Sequence, residues 1–551
     1  MNAGALSAHC LWKCYAGPAA RRFQRATTHP EGTQREVLGR ILRHNVATEF
    51  GRAHGFARLR SAEDFQSAVP PRDYVEHQPW IDAAAAGRPD VLTQGRPLAF
   101  LPTSGTHSGA KLIPWTAALK REFNAALGPW VHGFMRSRPA AWRGSVYWSL
   151  SPPAWQEERT AGGIPIGFEA DTAYLPAILR PWLGSAFAVP AAVARLREPE
   201  VWRYATLLHL LGAGDLSLVS VWSPTFLTAL LEPLAGWWPA LLRDLEHGTL
   251  TPPDGQDPGP ARLARARGDK RRALALRALA GAGEVPPMER IWPHLSAISC
   301  WTDAAAREPA RRLASLFPQA RVLGKGLVAT EGVISIPWPD AAAPALALTS
   351  HFFEFTDDAG RVRAAWELQD GACYSVLLTT GGGLYRYRLN DRVRVVGFHH
   401  LCPLIEFIGR DGITCDLCGE KLEEPFVREC LGRVAGGLGL VWPFAMLAPS
   451  GMAGRPGYTL YLSSVTPVDA PTVARAVDTA LGANVHYSHA RRIGQLESLE
   501  VMPLAGGEEW AWARFHGAMA ARGQRSGDIK PTALDCRPGW SAVFESGGKA
   551  S

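Results

Sequence analysis

Three short segments of this 551-residue chain hold side chains whose types and spacing suit a nucleotide. The first, Thr103 to Lys111 (TSGTHSGAK), is expected to be a strand-to-helix loop of hydroxyls and glycines ending in lysine. Small residues there let backbone N–H groups line a concavity fit for phosphate oxygens, with Ser104, Thr106 and Ser108 as further donors and Lys111 as a point charge. It is not a P-loop, which needs a different glycine spacing and a hydroxyl residue after the lysine. The second segment, ATEG at 329–332, sets Glu331 among apolar and glycine residues between two expected strands. A carboxylate there suits Mg²⁺, a hard cation that shares oxygen ligands with a triphosphate. The third runs from Thr379 to Arg410: a glycine-rich turn, an expected strand over 384–389, Asp391 just beyond it, and Arg410 behind Gly409. A carboxylate such as Asp391 can accept two hydrogen bonds from the vicinal diol of a ribose. Each segment also has a plainer interpretation: a polar turn, a loop glutamate facing water, a basic hairpin.

Composition sets the frame. The length argues for two or more domains, and 47% apolar with 20% charged residues is that of a packed globular protein. A net charge of +7 spread along the chain gives no nucleic-acid stripe. The dense basic run over 262–272 is expected to be a solvated helix. Only eight of the 58 basic residues are lysine, so a lysine inside a motif is less readily dismissed as filler. Nine scattered cysteines make no disulfide framework and suit a reducing cytosol; the CxxC at 415–418 lacks a second pair at zinc-ribbon spacing. The N-terminus lacks a secretory pattern and no stretch of about 18 apolar residues occurs, so a cytoplasmic protein without a membrane span is expected.

Around the motifs, helical periodicity covers 35–48, 61–68, 116–127, 201–211 and 224–234, with strands at 99–102, 145–150 and 216–222. Strands dominate from 295 to 409. Alternating strands and helices argue for an α/β architecture. After Gly412 come helix (423–434), strand (458–463), helix (472–481) and strand (495–501), a compact α+β unit. The expected domains are a large one over 1–410, of mixed sheets and helices, and a small one over 411–551. GKGLVA at 324–329 formally fits a dinucleotide fingerprint but leads into a strand, which argues against that fold.

TSGTHSGAK, ATEG, YRYRLND and the GR at 409–410, in this order, resemble the adenylate-forming superfamily of acyl-CoA synthetases, nonribosomal adenylation domains and luciferases. Within it, FLPTSGTHSGAKLIPWT, VWSPTFLTALL, LSAISCWTD, FFEF and TGGGLYRYRLNDRVRVVGFHH resemble the Gretchen Hagen (auxin-responsive promoter) family of acyl-acid amido synthetases, over about Arg35 to Leu534. The resemblance implies that ATP and a carboxylic acid give an acyl-adenylate, which an amine, typically of an amino acid, then attacks; a thioester-forming ligase on the same core and a non-catalytic binding protein are the alternatives. It also implies phosphate contacts from Ser104 and Thr106, with Thr330 beside a Mg²⁺-binding Glu331, and ribose binding by Asp391. Arg410 would stand at a hinge and touch the nucleotide, Lys421 would lie near the adenylate, and Lys530 would be the catalytic lysine carried by a mobile small domain. The chain departs from the superfamily at His107, Ala110 and Gly109 in the loop, in ATEG for an SSE-type sequence, and at Gly412 where a hinge acid is usual.

Overall fold

The structure is a computed structural model that describes all residues except 1–2, 104–110, 149–158, 168–183, 197, 253–267, 280–283, 411–413, 416, 418–419, 421, 453–454, 493–495, 523, 525–528 and 546–551; at 3, 103, 305, 308, 410, 451–452, 455, 485–486, 489 and 492 it describes the backbone alone. The chain divides into two compact units. One comprises Met1–Thr302, Ala310–Leu389 and Val393–Phe407; the other comprises Asp303–Pro309, Asn390–Arg392 and Ile408–Ser551.

The first unit begins with helices whose starts are written in the sequence. Ser61 caps Ala62–Ala68 through a reciprocal capping box with Asp64, and Asp73 does the same for Tyr74–Ala85 with Glu76. Strands β1 (Ala99–Thr103) and β2 (Lys111–Trp115) then pair antiparallel, with Thr103 opposite Lys111. The expected strand-to-helix loop is therefore a connection between two strands. The apolar KLIPW makes a strand first, and the helix Ala117–Ser137 starts only after Thr116, whose side chain caps it.

Four parallel strands follow: β3 (Ser145–Trp148), β4 (Leu216–Ser220), β5 (Ala297–Cys300) and β6 (Arg321–Gly324), in that spatial order. Parallel neighbours need helical crossovers. The helices Pro199–Gly212, Pro224–Leu231, Leu234–His247 and Lys270–Leu279 pack an apolar layer of Leu207, Leu211, Leu241, Leu276 and Ile298. Of the basic run expected to be solvated, residues 262–267 lie outside the described residues. Arg272 is instead half-buried, donating from Nε to the Leu211 carbonyl at 2.9 Å and from Nη2 to the Ile291 carbonyl at 2.6 Å.

Seven further strands form a second sheet: β7 (Ser335–Ile336), β8 (Ala345–Leu346), β9 (Phe352–Thr356), β10 (Val362–Ala364), β11 (Cys373–Thr379), β12 (Tyr387–His399) and β13 (Cys402–Arg410), ordered β10-β9-β11-β12-β13-β8-β7. Here the strand expected over 384–389 shifts. β12 starts at Tyr387 and continues past Asp391, with Asn390 between them in the left-handed region (φ 61°). The cause is Arg386, whose left-handed backbone (φ 50°) ends the turn and sends its side chain inward. There Nε donates to both carboxylate oxygens of Glu354 (3.2 and 3.0 Å) and Nη1 donates to the carbonyls of Gln66 (2.9 Å) and Val69 (2.7 Å). Burial pushes the Glu354 carboxyl upward even against the Arg386 guanidinium. Beyond it Leu389, Asp391 and Val393 are each buried.

In the second unit β16 (Phe444–Met452) and β17 (Arg455–Ser463) pair antiparallel, and β18 (Glu500–Pro503) joins β17 in parallel; the short β14 (Thr414–Cys415) and β15 (Leu422–Glu423) pair with each other. One face carries Val427, Leu431, Leu460, Leu462, Val473 and Val477, and the other Met446, Tyr461, Phe515 and Trp540. Sequence patterning finds the helices Glu424–Gly437 and Ala470–Leu481 but misses β16, which contains Pro449 and Gly451, and the helix Gly507–Ala521; it sets the last strand too early. The segment after Lys530 extends this sheet: the Leu447 N–H donates to the Ala533 carbonyl and the Asp535 N–H to the Leu447 carbonyl, both at 2.9 Å.

Arg386→Ala strands a buried carboxylate and frees two carbonyls, so it should cost roughly 3–5 kcal/mol of stability. Denaturant unfolding of the variant against the parent chain measures this; a loss below about 1 kcal/mol, the range of an exposed pair, would contradict the buried assignment.

Candidate active site

Residues 328–333 form a tight turn. Val328 bridges Val333, the Ala329 N–H donates to the Gly332 carbonyl at 2.9 Å, and the Gly332 N–H returns to the Ala329 carbonyl at 3.2 Å. Thr330 is half-buried on this turn and Glu331 is buried at 9% exposure. The turn is locked from behind by His351. The Val333 N–H donates to His351 Nε2 at 3.1 Å, so that nitrogen carries no proton and Nδ1 does. Nδ1–H then donates to Glu122 Oε2 at 2.9 Å, with the two side chains only 0% and 5% exposed.

Glu122 continues the bridge to the glycine-rich turn after β11. The Gly381 N–H donates to its carboxylate at 2.9 and 3.0 Å, while Thr116 Oγ1 donates to the Gly381 carbonyl at 3.0 Å. One carboxylate and one imidazole thus fix the Glu331 turn and the TTGGG turn to the same helix, Ala117–Ser137. The glycines are required by space. A Cβ on Gly332 would stand 2.9 Å from His351 Nε2, and one on Gly381 would stand 2.7 Å from Glu122 Oε1. Gly383 adds a conformational need, with φ of +96°.

A second constellation sits at the carboxyl edge of the parallel sheet. Lys325 follows β6, and its Nζ donates to Ser220 Oγ at the end of β4 (2.6 Å). Three indoles surround the amine: Trp130, Trp148 and Trp222, with ring centroids 5.2, 5.4 and 5.3 Å away. Burial lowers the Lys325 pKa to about 7, with the nearby Cys300 acting in the opposite sense. The Cys300 thiol is itself pushed up to about 12 by burial.

Of the residues singled out in the sequence, Thr330 and Glu331 share the locked turn. Asp391 lies on β12, 1% exposed, within the second unit, which rules out the surface carboxylate of a plain hairpin. Arg410 ends β13, with only its backbone described. Lys530 is half-exposed in the second unit, next to the fully buried Ile529. Ser104, Thr106 and Lys421 lie outside the described residues, and Lys111 sets its Nζ 5.5 Å from the Tyr74 ring centroid. No group of three or more His, Cys, Asp or Glu suited to a metal occurs among the described residues. Sequence reasoning missed Glu122, His351 and Lys325. The available signals were an acid on an otherwise apolar helix face, a histidine directly before FFEF, and one of the few lysines.

Glu122→Ala leaves the His351 Nδ1–H and the Gly381 N–H unsatisfied in a dry interior. It should lower unfolding free energy by about 2–5 kcal/mol, whereas Glu122→Gln, which keeps an acceptor for one of them, should lose less. Equal losses in the two variants, read by chemical denaturation, would contradict the bridging role.

Comparison with known proteins agrees with this architecture. The GH3 family N-terminal domain matches residues 19–322 and the GH3 family central domain matches residues 345–410. Among curated relatives, a probable indole-3-acetic acid-amido synthetase GH3.12 of Oryza sativa subsp. japonica is 26% identical over 460 residues, covering 73% of this chain and 72% of its own. The indole-3-acetic acid-amido synthetase GH3.8 of Oryza sativa subsp. indica is 25% identical over 528 residues, covering 88% and 86%. The solved AtGH3.15 acyl acid amido synthetase superposes with a TM-score of 0.82 at 18% identity over 96% of both chains. A 2-hydroxyisobutyryl-CoA ligase in its postadenylation state gives 0.51 at 13% identity, covering 95% of this chain and 91% of its own. The α/β architecture is therefore that of an adenylate-forming enzyme, and the chain belongs to the GH3 family.

Proposed function

We propose that this protein is an ATP-dependent acyl-acid amido synthetase. The observation that carries this is the Glu122–His351 bridge, which rigidly presents the Glu331 turn and the TTGGG turn, inside a chain matched over most of its length by a family whose named members are amido synthetases. In the first step an oxygen of the substrate carboxylate attacks the α-phosphorus of ATP and pyrophosphate leaves. In the second an amine, on this proposal that of an amino acid, attacks the acyl carbon, the amide forms, and AMP and a proton depart.

Ser104 and Thr106 bind phosphate oxygens, and Thr330 assists from the locked turn. The Glu331 carboxylate on the locked turn suits Mg²⁺, a hard cation that takes one or two protein carboxylates together with substrate phosphates. When bound, that ion offsets phosphate charge. Asp391, buried on β12, accepts from the ribose hydroxyls. Arg410 and Lys421 contact the nucleotide. Lys530 stabilises charge that develops between the attacking carboxylate and the α-phosphate. It is needed inside only for the first step, so rotation of the small domain would withdraw it for the second. The described cysteines are free thiols and no described helix is long and apolar enough to cross a membrane, in keeping with a cytoplasmic enzyme of small-molecule substrates.

Acid-dependent exchange of labelled pyrophosphate into ATP tests the first step. Exchange with no acid from a broad panel would favour a binding protein instead. Products formed with amino acids or with coenzyme A, read by mass spectrometry, separate the amido synthetase from a thioester-forming ligase. Lys530→Ala should abolish exchange while sparing amide formation from supplied acyl-adenylate; survival of both activities would remove Lys530 from the mechanism.

A further inference from the structure

The caged amine of Lys325 has no place in the chemistry above. Its surroundings are unusual for a lysine held only for packing. Among the described residues Ser220 Oγ is its hydrogen-bond partner and no carboxylate pairs with it, so at most one of three ammonium protons meets an acceptor there. The indole faces attract a cation but offer no lone pair. A methionine would fill the same space without a desolvation cost, so stability alone does not favour lysine here.

Position supplies the second argument. Trp148, Ser220, Cys300 and Lys325 come from the carboxyl ends of four successive parallel strands, the edge where open α/β sheets take their ligands. Trp148, Trp222 and Trp301 are only half-buried there, and the rings of Trp222 and Trp301 lie 6.0 Å apart at a 38° tilt. Lys325 is four residues ahead of the locked Ala329–Gly332 turn. An apolar, partly open wall with one buried donor beside the nucleotide turn has the make-up of a small-molecule pocket.

Resting on the amido synthetase proposal, we infer that Lys325 is a specificity-determining residue of the acyl-acid pocket: it donates to a second oxygen of the substrate acid, remote from the reacting carboxylate, while the indoles pack the acid's ring or chain. The preferred substrates are thus acids carrying a further hydroxyl, carbonyl or carboxylate oxygen. The reacting carboxylate is a poor partner for this amine, because an ion pair held in the ground state would blunt the nucleophile.

The test uses matched pairs of acids with and without the second oxygen, phenylacetic and 4-hydroxyphenylacetic acids among them, in pyrophosphate exchange by the full chain. Wild type should favour the oxygenated member of at least one pair by about ten- to hundredfold in kcat/KM, the range of one hydrogen bond to a charged donor. Lys325→Met should erase that preference with the KM for ATP unchanged, and Lys325→Arg should restore it in part. A loss shared equally by both members of every pair, or none at all, would overturn the inference and leave Lys325 structural. Quenching of tryptophan fluorescence by each acid gives a readout independent of turnover. Pair-selective quenching in wild type that disappears in Lys325→Met would support the inference even if exchange failed and the amido synthetase proposal with it; quenching that ignores the second oxygen would overturn it. Should Lys325→Met not fold, Ser220→Ala, which frees one donor while keeping the amine, decides: its pair preference should change, and an unchanged preference counts against the inference.

Discussion

The structure of the first unit depends on one buried interaction, the hydrogen bond from His351 Nδ1 to Glu122. Neither partner is near the other in sequence, and each also holds a backbone N–H of a different turn: Val333 through His351, Gly381 through Glu122. In a dry interior each of these donors would be costly to leave unpaired, so the three bonds support one another. The arrangement converts two loops, which on their own would sample many conformations, into fixed edges of one site. Glycine follows from this at positions 332 and 381, where any side chain would collide with the bridge.

A comparable economy governs the route from the TTGGG turn to Asp391. Arg386 takes a left-handed backbone so that its guanidinium can satisfy Glu354 and two carbonyls, and the strand therefore begins one residue later. Past that start Tyr387, Leu389 and Asp391 are each buried, with a left-handed Asn390 between the last two. The Glu354 carboxylate is buried with its cationic partner at hand. Lys325 shows the opposite balance. Burial alone works against its charge, and three indoles and one hydroxyl meet that cost only in part.

Much of the helical content was legible because caps and period are local. Ser61 with Asp64 and the amphipathic run after Asp469 announce helices without reference to anything distant. The failures have equally physical causes. TSGTHSGAK reads locally as a strand-to-helix loop, but pairing of Ala99–Thr103 with Lys111–Trp115 is a contact between segments whose partner choice no local pattern reveals. Strand β16 has no clear local signal because Pro449 and Gly451 weaken its propensity, which pairing along nine positions of β17 overrides.

The amino-acid sequence by itself determined the family, the order of the motifs and the identity of Thr330, Glu331, Asp391 and Lys530 as candidates, because those signals lie in residue type and short spacing. What only the tertiary structure decided is how such residues are held. Glu122 and His351 are 229 positions apart, and Ser220 and Lys325 are 105 apart. Burial removes water as the alternative partner for those groups, and which protein atoms replace it is fixed by packing between distant segments, a property that no window of the sequence contains.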